Sequence, residues 1–566
     1  MMRHVYYNGY IHLNADPPRN GIPLIHGKPV PGSISENAIY ISNKQLVRFK
    51  SKEYLLFLDG IIYEFYQQSF TNDQYSVLAE SLSADYNNTL RALNGEFIIL
   101  FADHSKNTFR IIASESGNAS LFYRKHGNQL SFSNSLNMMH GHPGGTDHID
   151  FQRIYDIITG NNLGSERTCF SSVKRLLPGY CIRVERGTVT VENNSEIFTV
   201  PPRRKAMENP YGRFYTIFQE SVKRRMKGSQ IGIALSSGKD STSVAAMAVR
   251  SRNTDSQILK GYTYIPGFLT GKDSENPRYN EGIILKSLLG MYPDLESGQI
   301  TPGTGILLES LERTIDIYGE PVYGVSNQFW IQEMHRMMRH DHCSLLITGQ
   351  SGNYTISWPP PGLISLKGNV FDTILSGAKK KLRKRQQNIP YVTDNLLHEV
   401  GSDHFLEKLD LRSMNAMQLI LLKNSIAYTG YLQKQVSLHH GIHVTDPTVD
   451  KEIIEFCLGI PFHTYHDRRS SRKLVTEGLK DILPEAVLSN PVRGLQASDI
   501  QSRIEIEKGK FQEIIEFLNK NKLVTFVLET GDLARDWKSL DISKLSRAEL
   551  NHLLRIILVG IFLSRI

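Results

Sequence analysis

The run IGIALSSGKDSTS at 231–243 brings together the groups needed to hold a phosphate oxyanion. A hydrophobic strand ends at Leu235. Ser236, Ser237 and Gly238 follow, then Lys239, Asp240 and Ser241, and then a helical AAMAV stretch. Gly238 lets the backbone turn tightly and bring N–H groups close to a ligand. Ser236, Ser237 and Ser241 offer hydroxyl donors, and the helix N-terminus adds a partial positive charge. Asp240 can hold a magnesium ion that bridges phosphate oxygens. The run is not the Walker form, which needs GxxxxGK followed by Ser or Thr. An accidental Ser/Gly turn is the bland alternative, and a buried strand before it with a helix after it argues against that.

Rigid elements must present these groups. Tyr211, Phe214, Phe218 and Val222 recur at helical spacing and predict an amphipathic helix leading into the strand at 231–235. Strands and helices then alternate: KGYTYI at 260–265, a helical stretch around 279–289, and SLLITG at 344–349. Such alternation predicts a parallel sheet with helices on its faces. From about residue 410 the chain reads as mostly helical. Residues 1 to about 195 read instead as short strands, among them EFIILFAD, TFRIIASE, NASLFYRK and QLSFSNSL, with turn residues such as Asn94-Gly95 between them. The Pro-containing segment EIFTVPPRRKAMENP at 196–210 is the linker. The expected domains are therefore 1–195 and 211–566. There is no fixed-period repeat.

At 566 residues, with 40 % hydrophobic and 22 % charged residues, the composition is that of a globular protein of two or three domains. A formal net charge of +8 favours anionic ligands without identifying nucleic acid; ATP, pyrophosphate or an acidic peptide fits equally well. The four cysteines, Cys169, Cys181, Cys343 and Cys457, form no CxxC pair and no zinc-ligand spacing. So few predict a reducing, cytoplasmic setting. The N-terminus MMRHVYYNGYIH lacks the apolar core of a signal peptide. The longest apolar stretch, Leu553 to Leu563, is broken by Arg555 and Gly560, is too short for a membrane span, and predicts a buried final helix. The basic run Lys379, Lys380, Lys381, Arg383, Lys384, Arg385 predicts a solvated face, with docking of an acidic peptide as the functional alternative.

The loop at 236–241 is similar to SGGxDS, the pyrophosphate loop of enzymes that split ATP into AMP and pyrophosphate, with Ser237 at the second position. Along nearly its whole length the chain resembles the asparagine synthetase superfamily. LDGIIYEFY and LNGEFIILFADHSKNTFRIIASESGNASLFYRKHGNQLSFSNSL resemble that family's glutaminase-type domain, and KRLLPGYCIRV at 174–184 its closing segment. GEPVYGVSN at 319–327 resembles an acidic-x-P element, and LLITGQSGNYTISW at 345–358 stands in place of a second ATP loop. HVTDPTVDKEIIEFCLGIP at 443–461 and SSRKLVTEGLKDILPEAVLSNPVRGLQ complete the match. The resemblance implies an α/β protein: an N-terminal Ntn-hydrolase-like αβ sandwich, then a doubly wound parallel-sheet ATP-pyrophosphatase domain with a helical tail. It implies ATP and magnesium as cofactors, an acyl-adenylate, and amide formation by an attacking amine. Leu235, Ser236, Ser237, Gly238, Asp240, Ser241, Tyr264, Thr348 and Gly349 would then bind the nucleotide. Asp240 and Asn353 would face magnesium.

Three departures bear on function. Glutamine-dependent members begin with a cysteine, and this chain reads Met1-Met2-Arg3-His4. The expectation is that its N-terminal domain does not hydrolyse glutamine, so the nitrogen comes from ammonia or from an amine on the substrate. Asn353 is a neutral oxygen ligand where the family has a carboxylate, and Gln350 replaces a residue that faces the acyl group, which implies a different carboxylate substrate. Arg493, in SNPVRGLQ, is the cation comparable to the family's late lysine, and its guanidinium can fork onto pyrophosphate or an oxyanion. Gln350 and Arg493 are thus the catalytic candidates. The cysteine-free relatives with this layout are the β-lactam synthetases and the cyclases of lasso peptides, and the loops look most like the second. That implies a small-molecule or peptide carboxylate substrate, a precursor peptide and a partner protease, with no nucleic acid and no membrane span. An ammonia-dependent asparagine synthetase or metabolite amidotransferase, and a non-catalytic scaffold binding ATP or peptide, are the alternatives.

Overall fold

The computed structural model describes residues 8–12, 30–34, 37–41 and 46–566, except 118, 128, 140–147, 162–165, 196–205, 253, 255, 270, 360–388, 401–413, 467–470 and 492–493. Most of the linker, the basic run at 379–385 and Arg493 lie outside the described residues.

The N-terminal strands are β1 (Asn8–His12), β2 (Val30–Ile34), β3 (Asn37–Ile41), β4 (Val47–Lys50), β5 (Tyr54–Phe65), β6 (Gln68–Ser69), β7 (Leu93–Asp103), β8 (Thr108–Ala113), β9 (Phe122–His126), β10 (Gln129–Ser133), β11 (Lys174–Arg175), β12 (Tyr180–Glu185) and β13 (Thr188–Asn193). They form two antiparallel sheets, in the orders β11-β9-β10-β1-β3-β2 and β13-β12-β8-β7-β5-β4, with β6 paired to β5. Alternation along each strand decides what lies between the sheets. Ile98, Leu100, Ile111, Ala113, Leu130 and Phe132 fill that inner layer. The opposite face of the second sheet, with Phe97, Ile99 and Ile112, is covered by the helices Tyr75–Ala84 and Tyr86–Ala92. Phe122, on the first sheet, packs in one cluster with Ile154 and Ile157 of the helix Phe151–Thr159. This is the αβ sandwich expected from the resemblance, with more helix than the plain strand meander read from the residues.

The C-terminal sheet comprises β14 (Gln230–Ala234), β15 (Ile258–Tyr264), β16 (Leu295–Ile300), β17 (Leu345–Ile347) and β18 (His443–Thr445). All pairs are parallel and the order is β16-β15-β14-β17-β18. The chain therefore steps outward from β14 first to one side and then to the other. That reversal makes a topological switch point at the C-terminal ends of β14 and β17, where open α/β sheets bind ligands. The helix predicted from Tyr211 onward spans Pro210–Arg225 and buries Phe214, Phe218 and Val222. The final helix, Arg547–Ser564, is buried along Leu553–Leu563 as expected. Among the described residues no helix is long and apolar enough to cross a membrane.

The two halves share a core. Phe122 meets Tyr431 edge to face at 5.8 Å between centroids, and Phe170 meets Phe562 at 5.7 Å. Buried charges cross the same boundary. Lys434 Nζ donates to Asp59 Oδ1 at 2.6 Å, and Arg175 pairs with Glu320.

Candidate active site

β14 delivers the loop Ser236–Ser241 to the switch point, and the helix Lys239–Arg250 begins at once behind it. Leu235 N donates to Tyr262 O at 2.9 Å, prolonging the β14–β15 ladder to the loop's edge. The serines divide their labour. The hydroxyls of Ser236 and Ser241 lie 2.8 Å apart, and Ser236 N donates to Ser241 Oγ at 3.1 Å. These two shape the loop. Ser237 Oγ is buried and has no hydrogen-bond partner, so it is the hydroxyl left over for a ligand.

Gly238 differs from expectation. Its φ of −72° and ψ of 145° are extended backbone open to any residue. The need is for space: a Cβ there would lie 3.3 Å from Ser236 Oγ.

The second loop, after β17, closes against the first. A Cβ on Gly352 would lie 2.7 Å from Asp240 Cγ, and one on Gly349 would lie 3.0 Å from the Asp240 carbonyl carbon. Only glycine permits that approach. Thr348 N donates to Thr445 O at 2.8 Å, and Gln433 Nε2 donates both to Thr348 Oγ1 at 3.1 Å and to Gln350 Oε1 at 3.0 Å. Gln350 is exposed at the loop tip.

Cations gather at the same place. Lys239 Nζ donates to Val487 O at 3.1 Å and Asn490 O at 3.0 Å, tying the first loop to the helix Glu485–Leu488 and the turn after it. Burial pushes its pKa down to about 8, and the charge of Arg472 adds to that. Arg472 Nη2 donates to Asn353 Oδ1 at 3.1 Å. The Asn353 oxygen thus already faces a guanidinium. Arg472 sits at φ +61°, a left-handed conformation uncommon for a side chain of this size. Asp240 remains a carboxylate on the loop itself, suited to a magnesium ion that also takes oxygens from ATP. Among the described residues no group of three His, Cys, Asp or Glu could hold a metal by itself.

Glu281, Asp446 and Arg472 escaped the sequence reading. Glu281 Oε2 accepts from Ser237 N at 3.2 Å, and burial pushes its pKa up. Gly494, beside Arg493, packs so closely on Glu281 that a Cβ would overlap its carboxylate. Asp446 Oδ2 accepts from Ser351 N at 2.9 Å. Arg472 and Asp446 lie inside quoted motifs, but only the fold brings them to the loops. Glu281 lies in the helical stretch read around 279–289. Tyr264, placed with the nucleotide-binding set, packs its ring on Phe329 and Trp330 and donates its hydroxyl to Asp499. Glu320 of the acidic-x-P element faces the other domain, accepting from Cys169 N at 2.9 Å and from Arg175.

Two solved structures are similar over part of the chain. One is a glutamine phosphoribosylpyrophosphate amidotransferase from B. subtilis complexed with ADP and GMP, at 10% identity and a TM-score of 0.20, covering 44% of this chain and 58% of that one. The other is described as the allosteric regulatory enzyme of purine biosynthesis, at 9% identity and 0.21, covering 53% of this chain and 75% of that one. The chain thus spans little more than half the length of the first. No curated protein matches the chain. A glutamine amidotransferase domain matches residues 42–195, and the asparagine synthase model matches 213–522, more than half of the chain. The chain belongs to the asparagine synthase family.

Proposed function

We propose that this protein forms an amide bond by splitting ATP into AMP and pyrophosphate, with both the carboxylate and the amine on one peptide. The observation that supports the ATP half is the pairing of the two loops at the switch point. An unpartnered buried hydroxyl at Ser237 and the carboxylate of Asp240 stand beside the cations Lys239 and Arg472. In this reading the substrate carboxylate attacks the α-phosphorus and pyrophosphate leaves. The amine then attacks the acyl carbon, loses a proton, and AMP departs. Lys239 and Arg472 orient the phosphates and offset their developing charge. Magnesium, held by Asp240, would neutralise phosphate oxygens.

The amine half follows from the cysteines. Glutamine hydrolysis of the family type needs a thiolate. All four cysteines are buried. Burial raises the thiol pKa of Cys343, pushes Cys181 up to about 11 and takes Cys169 well above its ordinary value. Burial and raised thiol pKa count against these cysteines as the nucleophile, which supports an amine already on the substrate. Ring closure of a lasso-type precursor peptide, supplied by a protease, is the form favoured by the loop at 348–358 and the runs DPTVD and RGLQ.

The test is to incubate the protein with ATP and candidate linear peptides. Equal AMP and pyrophosphate, with a peptide product lighter by one water, is expected. ADP and phosphate instead would exclude the adenylate, and glutamate released from added glutamine above a heat-killed control would exclude the amine assignment.

A further inference from the structure

β18 is only three residues long, yet both halves of the molecule converge on it and on the turn behind it. On one side it carries the second ATP loop. Thr445 O accepts from Thr348 N at 2.8 Å, and the buried Asp446 carboxylate accepts from Ser351 N at 2.9 Å. Asp446 is itself fixed by Thr448, through N at 2.9 Å and Oγ1 at 2.6 Å.

On the other side stands the N-terminal domain. Glu96, on β7, is 2 % exposed, and its Oε1 accepts from Thr445 Oγ1 at 2.6 Å. Arg225 closes the triangle, with Nε 3.1 Å from Glu96 Oε1 and 2.9 Å from Thr445 Oγ1. Its Nη1 donates to Asp450 Oδ2 at 2.6 Å, and Asn94 Nδ2 reaches Asp450 Oδ1 at 3.2 Å. The Tyr63 ring lies 4.7 Å below the Arg225 guanidinium. A buried charge set is a poor source of net stability, because desolvation offsets the attraction. What it supplies is a fixed geometry, since any displacement of 445–450 leaves a charge unpaired.

We propose that Glu96 is a positioning residue for the ATP site: the N-terminal domain sets the second ATP loop by holding Thr445, from which that loop hangs through Thr348 and Asp446. The proposal rests on the ATP-site reading above. It gives the domain a task that needs no nucleophile.

The test uses the full chain and a fluorescent ribose-labelled ATP. Glu96→Gln removes the charge, and Thr445→Val removes the hydroxyl at almost constant volume, which guards against a variant that fails to fold. Each is expected to weaken nucleotide binding by about threefold or more, the range for residues coupled to a site without touching the ligand. Glu115→Gln breaks another interdomain pair, with Lys451 at 3.3 Å, and is expected to leave affinity unchanged. Glu96→Gln combined with Asp446→Asn should lose less than the product of the single effects, because both act through one loop. Folded Glu96→Gln and Thr445→Val proteins that bind the label within about twofold of the parent would overturn the proposal, as would fully multiplicative losses. A folded parent that does not bind the label defeats the ATP-site reading itself.

Discussion

Asp240 and Ser237 carry the carboxylate and the unpartnered hydroxyl of the first loop, and they make separate demands on experiment. Asp240→Ala removes a carboxylate without touching the hydrogen bonds that shape the loop, which run through Ser236 and Ser241. Pyrophosphate release is expected to vanish while the far-ultraviolet circular dichroism stays that of the parent. Normal release would remove Asp240 from the magnesium assignment. A second prediction concerns His335 and His440, whose rings stack 5.1 Å apart. Burial pushes His335 down to about 4, and burial followed by the neighbouring His335 pushes His440 down to about 3; His439, Arg339 and Arg313 add to the latter. Both stay neutral in the fold, whereas the unfolded chain takes up protons below its ordinary histidine value of 6.5. Stability from their neutral burial is therefore complete above pH 6.5 and is lost as pH falls toward 4, at about 1.4 kcal/mol per pH unit for His335. Melting curves between pH 7 and 5 should show this slope, and His335→Leu should flatten it. An unchanged slope would place the acid sensitivity elsewhere. At this scale the loop at 236–241 was legible between its strand and its helix, because it is contiguous. The sequence could not show Glu281, Arg472 or Asp446, which reach the loops from the start of the helix Gly282–Met291, from the residue before the helix Lys473–Gly478 and from the turn after β18.

Among the elements, the β14 and β17 loops work as a pair because glycine lets them touch. Gly352→Ala would drive a Cβ to 2.7 Å from Asp240 Cγ, so one loop must retreat. Overpacking of this kind typically costs 1–3 kcal/mol, so ATP affinity should fall by about tenfold to a hundredfold with secondary structure preserved. Unaltered affinity would mean that the loops part when nucleotide binds. The strands at 231–235 and 344–349 were legible as short apolar runs, and the one at 260–265 by its aromatic and β-branched residues. β16 and β18 were not. LESGQI buries only three of its residues, and HVT is too short to carry any period. Their extended state is imposed by β15 and β17 beside them, through pairings that no local pattern encodes.

Across the whole molecule, charges buried between the two halves tie the N-terminal domain to the synthase domain. Lys434→Met would leave Asp59 buried with Asn134 at 3.4 Å as its partner among the described residues, and should cost about 3 kcal/mol in chemical denaturation. Adding Asp59→Asn should recover part of that loss, since the unpaired charge goes with it. No recovery would mean that Lys434 contributes by packing alone. The central claim is that the paired loops activate a carboxylate as its adenylate, and ATP–pyrophosphate exchange measures that step before any amide forms. With labelled pyrophosphate and a panel of carboxylates and linear peptides, label should enter ATP only when a suitable peptide is present, and not at all with Asp240→Ala. Label entering ATP equally well without any carboxylate, or no exchange with any peptide that the protein demonstrably cyclises, would contradict it.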